Sequence, residues 1–252
     1  MQMRLTPAVK YLLIVCFASF LVQQTADQFF SANLTGLFGL VPASFVFQYR
    51  FWQIVTYSFL HGDVMHLFLN MMMLVFIGSE LESVWGTARF LKFYFICVVA
   101  GGLAYLFLQL LSTGQALHIP MVGASAGVYG LLIAYGLLFA ERTLLFMMLF
   151  PMKAKHFIWV LAGIEFMSTV FSPRGGVAGI AHLGGMAAGW LYLWGWRRFP
   201  DFWRKKGDWP LPGIRRERKS KKTDHLKLVV NRDKGRPKSS GNDDDDAPKT
   251  WH

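Results

Sequence analysis

The stretch FYFICVVAGGLAYLFLQLLSTGQALHIPMVGASAGVYGLLIAYGLLFA, residues 93–140, contains no aspartate, glutamate, lysine or arginine. A helix crossing a bilayer needs ~20 mostly apolar residues, with a usable range of about 17–25. An uncharged run of this length is too long for one crossing. Ser112, Thr113, Gly114 and Pro120 sit at its middle and mark a turn. It therefore reads as two membrane helices, and it fixes the class of the whole chain.

Outward from this run, residues 11–26 with the flanking Pro7 to Lys10 make a first span, and residues 57–79 make a second, interrupted only by Asp63. Residues 93–140 supply spans 3 and 4. Residues 156–172 and 175–196 supply spans 5 and 6. The chain is 54% hydrophobic and only 16% charged, with a mean hydropathy of +0.34. Soluble domains carry roughly 25% charged residues. The composition excludes an ordinary soluble domain, a disordered protein and a disulfide scaffold. Cys16 and Cys97 lie in apolar runs and predict no structural disulfide.

The net charge of +11 would be a nucleic-acid signature if it were spread over the chain. It is not. From Arg197 onward there are 17 basic and 9 acidic residues, against 9 and 6 before it. The chain reads as a membrane domain, residues 1–198, with a basic and largely disordered tail, residues 199–252. No nucleic-acid partner is expected. Basic residues beside a membrane are held by anionic lipid, so the tail is expected on the cytoplasmic leaflet. Asp243 to Asp246 read as a solvated acidic patch.

Lys and Arg are retained on the cytoplasmic side of short loops. Arg4, Lys10, Arg89, Lys92, Arg142, Lys153 and Lys155 fall on one side, and only Arg50 and Arg174 on the other. Both termini are therefore expected in the cytoplasm, with span 1 an uncleaved anchor. The compartment expected is the bacterial inner (cell) membrane. The outer connection, residues 27–51, is long and apolar. It must lie at the interface or fold over the bundle, because irregular backbone in lipid leaves polar groups unpaired.

Strongly polar side chains inside spans are costly and mark function. They are His66 and Asn70 in span 2, Ser125 in span 4, Glu165 in span 5 and His182 in span 6. His66, Ser125 and His182 each fall near the start of an even-numbered span, hence at one depth in the outer half. His66 and Asn70 are four apart and share a helix face. Small residues recur every fourth position: Gly123 and Gly127; Ala126, Gly130 and Ala134; Ala181, Gly185 and Gly189. Such ridges let membrane helices approach closely. Spans 4 and 6 are thus expected to touch with Ser125 beside His182, within reach of a proton transfer.

These residues resemble the rhomboid family of intramembrane serine proteases, over roughly residues 50–190. The match comprises His66-Leu67-Phe68-Leu69-Asn70 for H-x-x-x-N, Gly123-Ala124-Ser125 for G-x-S, and Ala181-His182 with Gly185 and Gly189 for A-H-x-x-G-x-x-x-G. Gly78-Ser79-Glu80-Leu81-Glu82 with Gly86 resembles the family's segment at the end of its second helix. Two departures stand out: Trp52 is followed by Gln53 where many members have arginine, and Ala126 follows the serine where many have glycine.

The resemblance implies an all-α membrane protein, a six-transmembrane-helix rhomboid-like bundle with a cytoplasmic basic tail. It implies a serine endopeptidase that cuts transmembrane protein substrates in or next to their spans, preferring small residues and helices that unwind easily. Ser125 is the expected nucleophile; alone, it would read as a packing serine. His182 is the expected general base and acid, since imidazole titrates near neutrality. His66 and Asn70, otherwise polar glue between helices, are the expected oxyanion donors. Tyr129 resembles the tyrosine beside the catalytic histidine, and Gly123 supports the serine. Span 6 carries no carboxylate, so a Ser–His dyad is expected rather than a triad. Glu165 is expected somewhat deeper than His182, in a bundle hydrogen bond. His61 and Asp63 read as solvated loop residues, and Met71 to Met73 as packing. No cofactor and no metal are expected.

Other classes fit less well. The α/β-hydrolase elbow needs a strand before its serine, and H-E-x-x-H is absent. Aspartyl proteolysis would need two aspartates in spans. Transport would show buried charges and repeat symmetry. The serious alternative is a catalytically silent rhomboid-like protein that binds transmembrane clients. Such proteins typically lack the serine or the histidine, and both are present here.

Overall fold

The computed structural model of the chain describes residues 5–111, 114–146, 150–171 and 176–198. The expected basic tail, residues 199–252, lies outside the described residues, as do the expected turn residues Ser112 and Thr113.

Helix α1, Pro7–Phe29, opens with proline in its first turn, where no N–H is missed. Its orphan N–H groups are met by a distant carboxylate: Glu82 accepts from Ala8 N at 2.9 Å, from Val9 N at 3.0 Å and from the Thr6 hydroxyl. The Thr87 hydroxyl also donates to Glu82, at 2.6 Å. An anion at a helix N-terminus is favoured by the helix dipole, so Glu82 pins α1 to the far end of the second span.

Two short helices, α2 (Leu34–Phe38) and α3 (Pro42–Phe47), form the connection that was expected to lie at the interface or over the bundle. It is tied from below. Buried Gln53, in α4 (Gln53–Thr56), donates to the carbonyls of Gly36 and Leu37 at 3.1 and 3.2 Å and accepts from Val41 N at 3.2 Å. Arg50 and the Trp52 indole donate to Gly36 O and Leu37 O. Leu40 and Met121 exchange backbone hydrogen bonds at 2.9 and 3.0 Å. Gln53, the departure from the family pattern, thus anchors this connection.

The second span starts later than expected. Residues 57–59 form a single 3-10 turn, and the helix begins after Asp63, whose carboxylate caps it by accepting from His66 N at 2.8 Å. It runs as α5 (Val64–Met73), a π turn (Leu74–Gly78) and α6 (Ser79–Trp85), ending at Gly86 with φ of +77°. Helix α7, Thr87–Leu111, follows, then a 3-10 turn over Gly114–His118. Helix α8 is Ser125–Leu138, α9 is Ala154–Phe171 and α10 is Gly176–Arg198.

The fold is not wholly helical as expected. Strands β1 (Thr143–Phe146) and β2 (Phe150–Lys153) form an antiparallel hairpin between α8 and α9. It is closed at its base by Glu141, which takes both Lys153 and Lys155 at 2.6 and 2.5 Å. Those two ammonium groups hold the Glu141 carboxyl down at about 2.

Among the described residues, four helices are long and apolar enough to cross a membrane: α1, the continuous 64–85 helix, α7 and α9. The chain is a mostly helical, multi-pass membrane protein. Helix α8 is apolar but 14 residues long, and the 23-residue α10 is not among those four. Aromatic side chains point outward, among them Phe17, Phe107, Trp159 and Phe171, as lipid-facing surfaces require. Inside, Tyr57, Phe90, Phe93, Tyr94 and Tyr105 are fully buried. Cys16 and Cys97 are buried and unpaired.

Candidate active site

Helix α8 starts at Ser125, with Ala124 as its N-cap. The preceding turn depends on Gly123, whose φ of +127° is open to glycine and strained for other residues. Gly123 N donates to Tyr57 O at 2.9 Å, which fixes the turn to the 3-10 turn before the second span. A Cβ on Gly123 would lie 2.7 Å from Cε1 and Nε2 of His66. The same residue therefore turns the chain into α8 and leaves room for the His66 ring.

Helix α10 brings His182 to the serine. Its Gly185 faces the backbone of α8, where a Cβ would lie 2.1 Å from Ala126 O. Backbone-to-backbone contact of this kind is what a small-residue ridge permits. The result is 2.7 Å between His182 Nε2 and Ser125 Oγ. Helix α10 also packs on α7, where Gly101 meets Ala181 O and the Ala126 methyl. The sequence reading missed that second contact, although Gly101-Gly102 in span 3 was its signal.

Ser125, His182 and His66 line one cavity of about 80 Å³, together with Tyr57, Met121, Val122, Ala126, Ala178 and Ala181. The first turn of α8 opens beside it. Its leading N–H groups have no partner within the helix, so the wall carries donors suited to a developing oxyanion. The Tyr129 ring lies on the His182 ring, 4.3 Å between centroids and 5° from parallel.

Asn70 is buried, and its Nδ2 donates to His66 O at 2.9 Å. Two expected positions need revision. His61 is not solvated. The 3-10 turn folds it inward, Gln23 of α1 accepts from its backbone N–H at 3.2 Å, and its ring meets that of His66 edge-on at 5.2 Å. Glu165 is not deeper than His182. Glu165 lies six residues before the end of α9 and His182 six residues after the start of α10. Equal rises along antiparallel helices bring them level, and Glu165 Oε2 is 3.0 Å from His182 Nδ1. The expected spans, residues 156–172 and 175–196, already place the two residues equally far from the connection between them, so the greater depth assigned to Glu165 did not follow from those spans.

The family profile described as a rhomboid domain matches residues 48–199. The chain is 30% identical over 142 residues to "Rhomboid protein 1, mitochondrial" of Saccharomyces cerevisiae, covering 56% of this chain and 40% of that one. It is 34% identical over 96 residues to "Rhomboid-like protease 3" of Toxoplasma gondii, covering 38% and 34%. It is 29% identical over 103 residues to "Inactive RHOMBOID-like protein 8" of Arabidopsis thaliana, covering 40% and 27%. The chain thus spans well under half the length of these curated relatives. The matched domain takes in the cavity, the serine and the histidine, and it covers more than half of the sequence: the chain belongs to the rhomboid family.

Proposed function

We propose that this chain is an intramembrane serine protease that cuts transmembrane protein substrates in or next to their spans. The observation that carries the reading is the 2.7 Å approach of His182 Nε2 to Ser125 Oγ at the wall of a cavity. A neutral imidazole there takes the serine proton as Oγ bonds to the scissile carbonyl carbon. It then returns that proton to the leaving amine as the carbon–nitrogen bond breaks, and a water releases the acyl group by the same route. The N–H of Ser125 and the His66 side chain stabilise the oxyanion, and Asn70 joins them by turning its amide from the His66 carbonyl. The small volume and the lining alanines favour a small residue at the cleavage site.

The labelling experiment is direct. A serine-reactive fluorophosphonate is expected to label the detergent-solubilised protein, and Ser125→Ala to abolish the label. A wild-type protein that takes no label, or an alanine variant labelled equally, overturns the reading and leaves the silent client-binding role.

The same proposal has α8 and α10 complete six crossings, with both termini cytoplasmic and the basic tail on anionic lipid. Its support is the distribution of loop charge. The relatives named above, of yeast, Toxoplasma and Arabidopsis, lend no support to a bacterial inner membrane. Cysteines at Ser112 and Lys219, in a chain lacking Cys16 and Cys97, test the orientation. An impermeant thiol reagent applied to intact cells is expected to modify the first and spare the second. The reverse pattern overturns the orientation.

A further inference from the structure

We propose that Glu165 is a positioning residue that acts through His182, making the site a Ser125–His182–Glu165 triad rather than a dyad. The inference rests on the proteolytic reading above. Its observation is the Glu165 carboxylate, with Oε2 lying 3.0 Å from His182 Nδ1, on the side of the ring opposite the 2.7 Å contact to Ser125. Nδ1 is buried and has no aligned hydrogen bond. The carboxylate is close but off the line of the N–H. Catalytic hydrogen bonds are often poorly aligned before substrate binds.

Three features hold Glu165 there. The Tyr129 hydroxyl donates to its other oxygen, Oε1. The Tyr129 ring, stacked on His182, makes one rigid block of tyrosine, imidazole and carboxylate. Helix α9 is held against α10 where Thr169 faces Gly179; a Cβ on Gly179 would lie 2.1 Å from the threonine Oγ1, which itself donates to Glu165 O at 2.7 Å. Glu165 is half-buried, and an acid half-withdrawn from water is costly unless it has such partners.

The consequence concerns which nitrogen carries the proton. A neutral imidazole can hold its proton on either nitrogen, and the partner of one decides the state of the other. A carboxylate accepts hydrogen bonds only. Beside Nδ1 it favours the tautomer with the proton on Nδ1, leaving Nε2 bare to accept from Ser125. When Nε2 takes the serine proton, the positive ring keeps its Nδ1–H toward the carboxylate, and Glu165 itself takes no proton. Tyr129 keeps its own proton and fixes the acid.

The first test is made on the full wild-type chain with ¹⁵N-labelled histidine in detergent, at a pH where the imidazole is neutral. His182 is assigned by its loss in His182→Gln. Nitrogen shifts showing the proton on Nδ1 support the proposal, and a proton on Nε2 overturns it. This test needs no variant of Glu165 to fold. The second compares initial rates on a transmembrane substrate in liposomes. Glu165→Gln is expected to lower kcat about 100-fold or more with KM within threefold, and Glu165→Asp to recover at least tenfold of that loss. Unchanged kcat in Glu165→Gln, or an aspartate variant no better than glutamine, overturns it. The proteolytic reading fails separately, when the wild-type chain neither takes a fluorophosphonate nor cleaves.

Discussion

Alanine at position 182 is expected to slow cleavage of a transmembrane substrate by about 10⁴-fold or more while leaving the protein folded. A serine hydroxyl is a weak nucleophile until a base removes its proton, and His182 Nε2, 2.7 Å from Oγ, is the base in contact with it. The other imidazole on the cavity, His66, lies against Gly123 at the turn before Ser125. Its loss removes an oxyanion donor, which in serine hydrolases costs about 10²–10³ in kcat. The two histidines are therefore expected to separate by about an order of magnitude or more. The measurement is the initial rate of fragment formation in liposomes, with the size-exclusion profile as the control for folding. A His182→Ala protein that cleaves within tenfold of wild type, or a His66→Ala protein that loses more, sinks the assignment of the base.

Adding one methyl group at Gly185 is expected to lower cleavage roughly 10²-fold without touching a reacting group. The Cβ of Gly185→Ala would lie 2.1 Å from Ala126 O, and a backbone oxygen in a helix has nowhere to turn. Helices α8 and α10 must part by about 1 Å or more to reach ordinary van der Waals separation. Overpacking of this kind costs about 1–3 kcal/mol. The catalytic penalty is larger, because a misplacement of about 1 Å in reacting groups costs roughly 10²-fold. Ser125 and His182 sit on those two helices, so their 2.7 Å contact opens. Gly163→Ala is the control: in α9 its Cβ would meet nothing within 4 Å. Gly185→Ala should lower both the melting temperature and kcat, and Gly163→Ala neither. Equal behaviour of the two would mean that the helix contact does not set the site.

The division of labour between sequence and tertiary structure follows from the range of the forces involved. Hydropathy and loop charge are sums over neighbours along the chain, so membrane class and most helices were legible from residues alone. So was the meeting of Ser125 and His182, because glycine and alanine at every fourth position can mean little else than a face that another backbone touches. Three things were not legible. Strands β1 and β2, with Glu141 pairing with Lys153 and Lys155 beside them, lie in a short apolar run, and periodicity along the chain does not tell such a strand from the end of a buried helix. The capping of α1 by Glu82 joins residues more than seventy positions apart. The contact of Glu165 with His182 depends on which faces of α9 and α10 meet, and depth along a span, which rises ~1.5 Å per residue, says nothing of that. The amino-acid sequence by itself determined which side chains are too polar to be idle in a membrane. Only the packing of α8, α9 and α10 decided which of them touch, because contact is set by ångström distances between helices that are far apart along the chain.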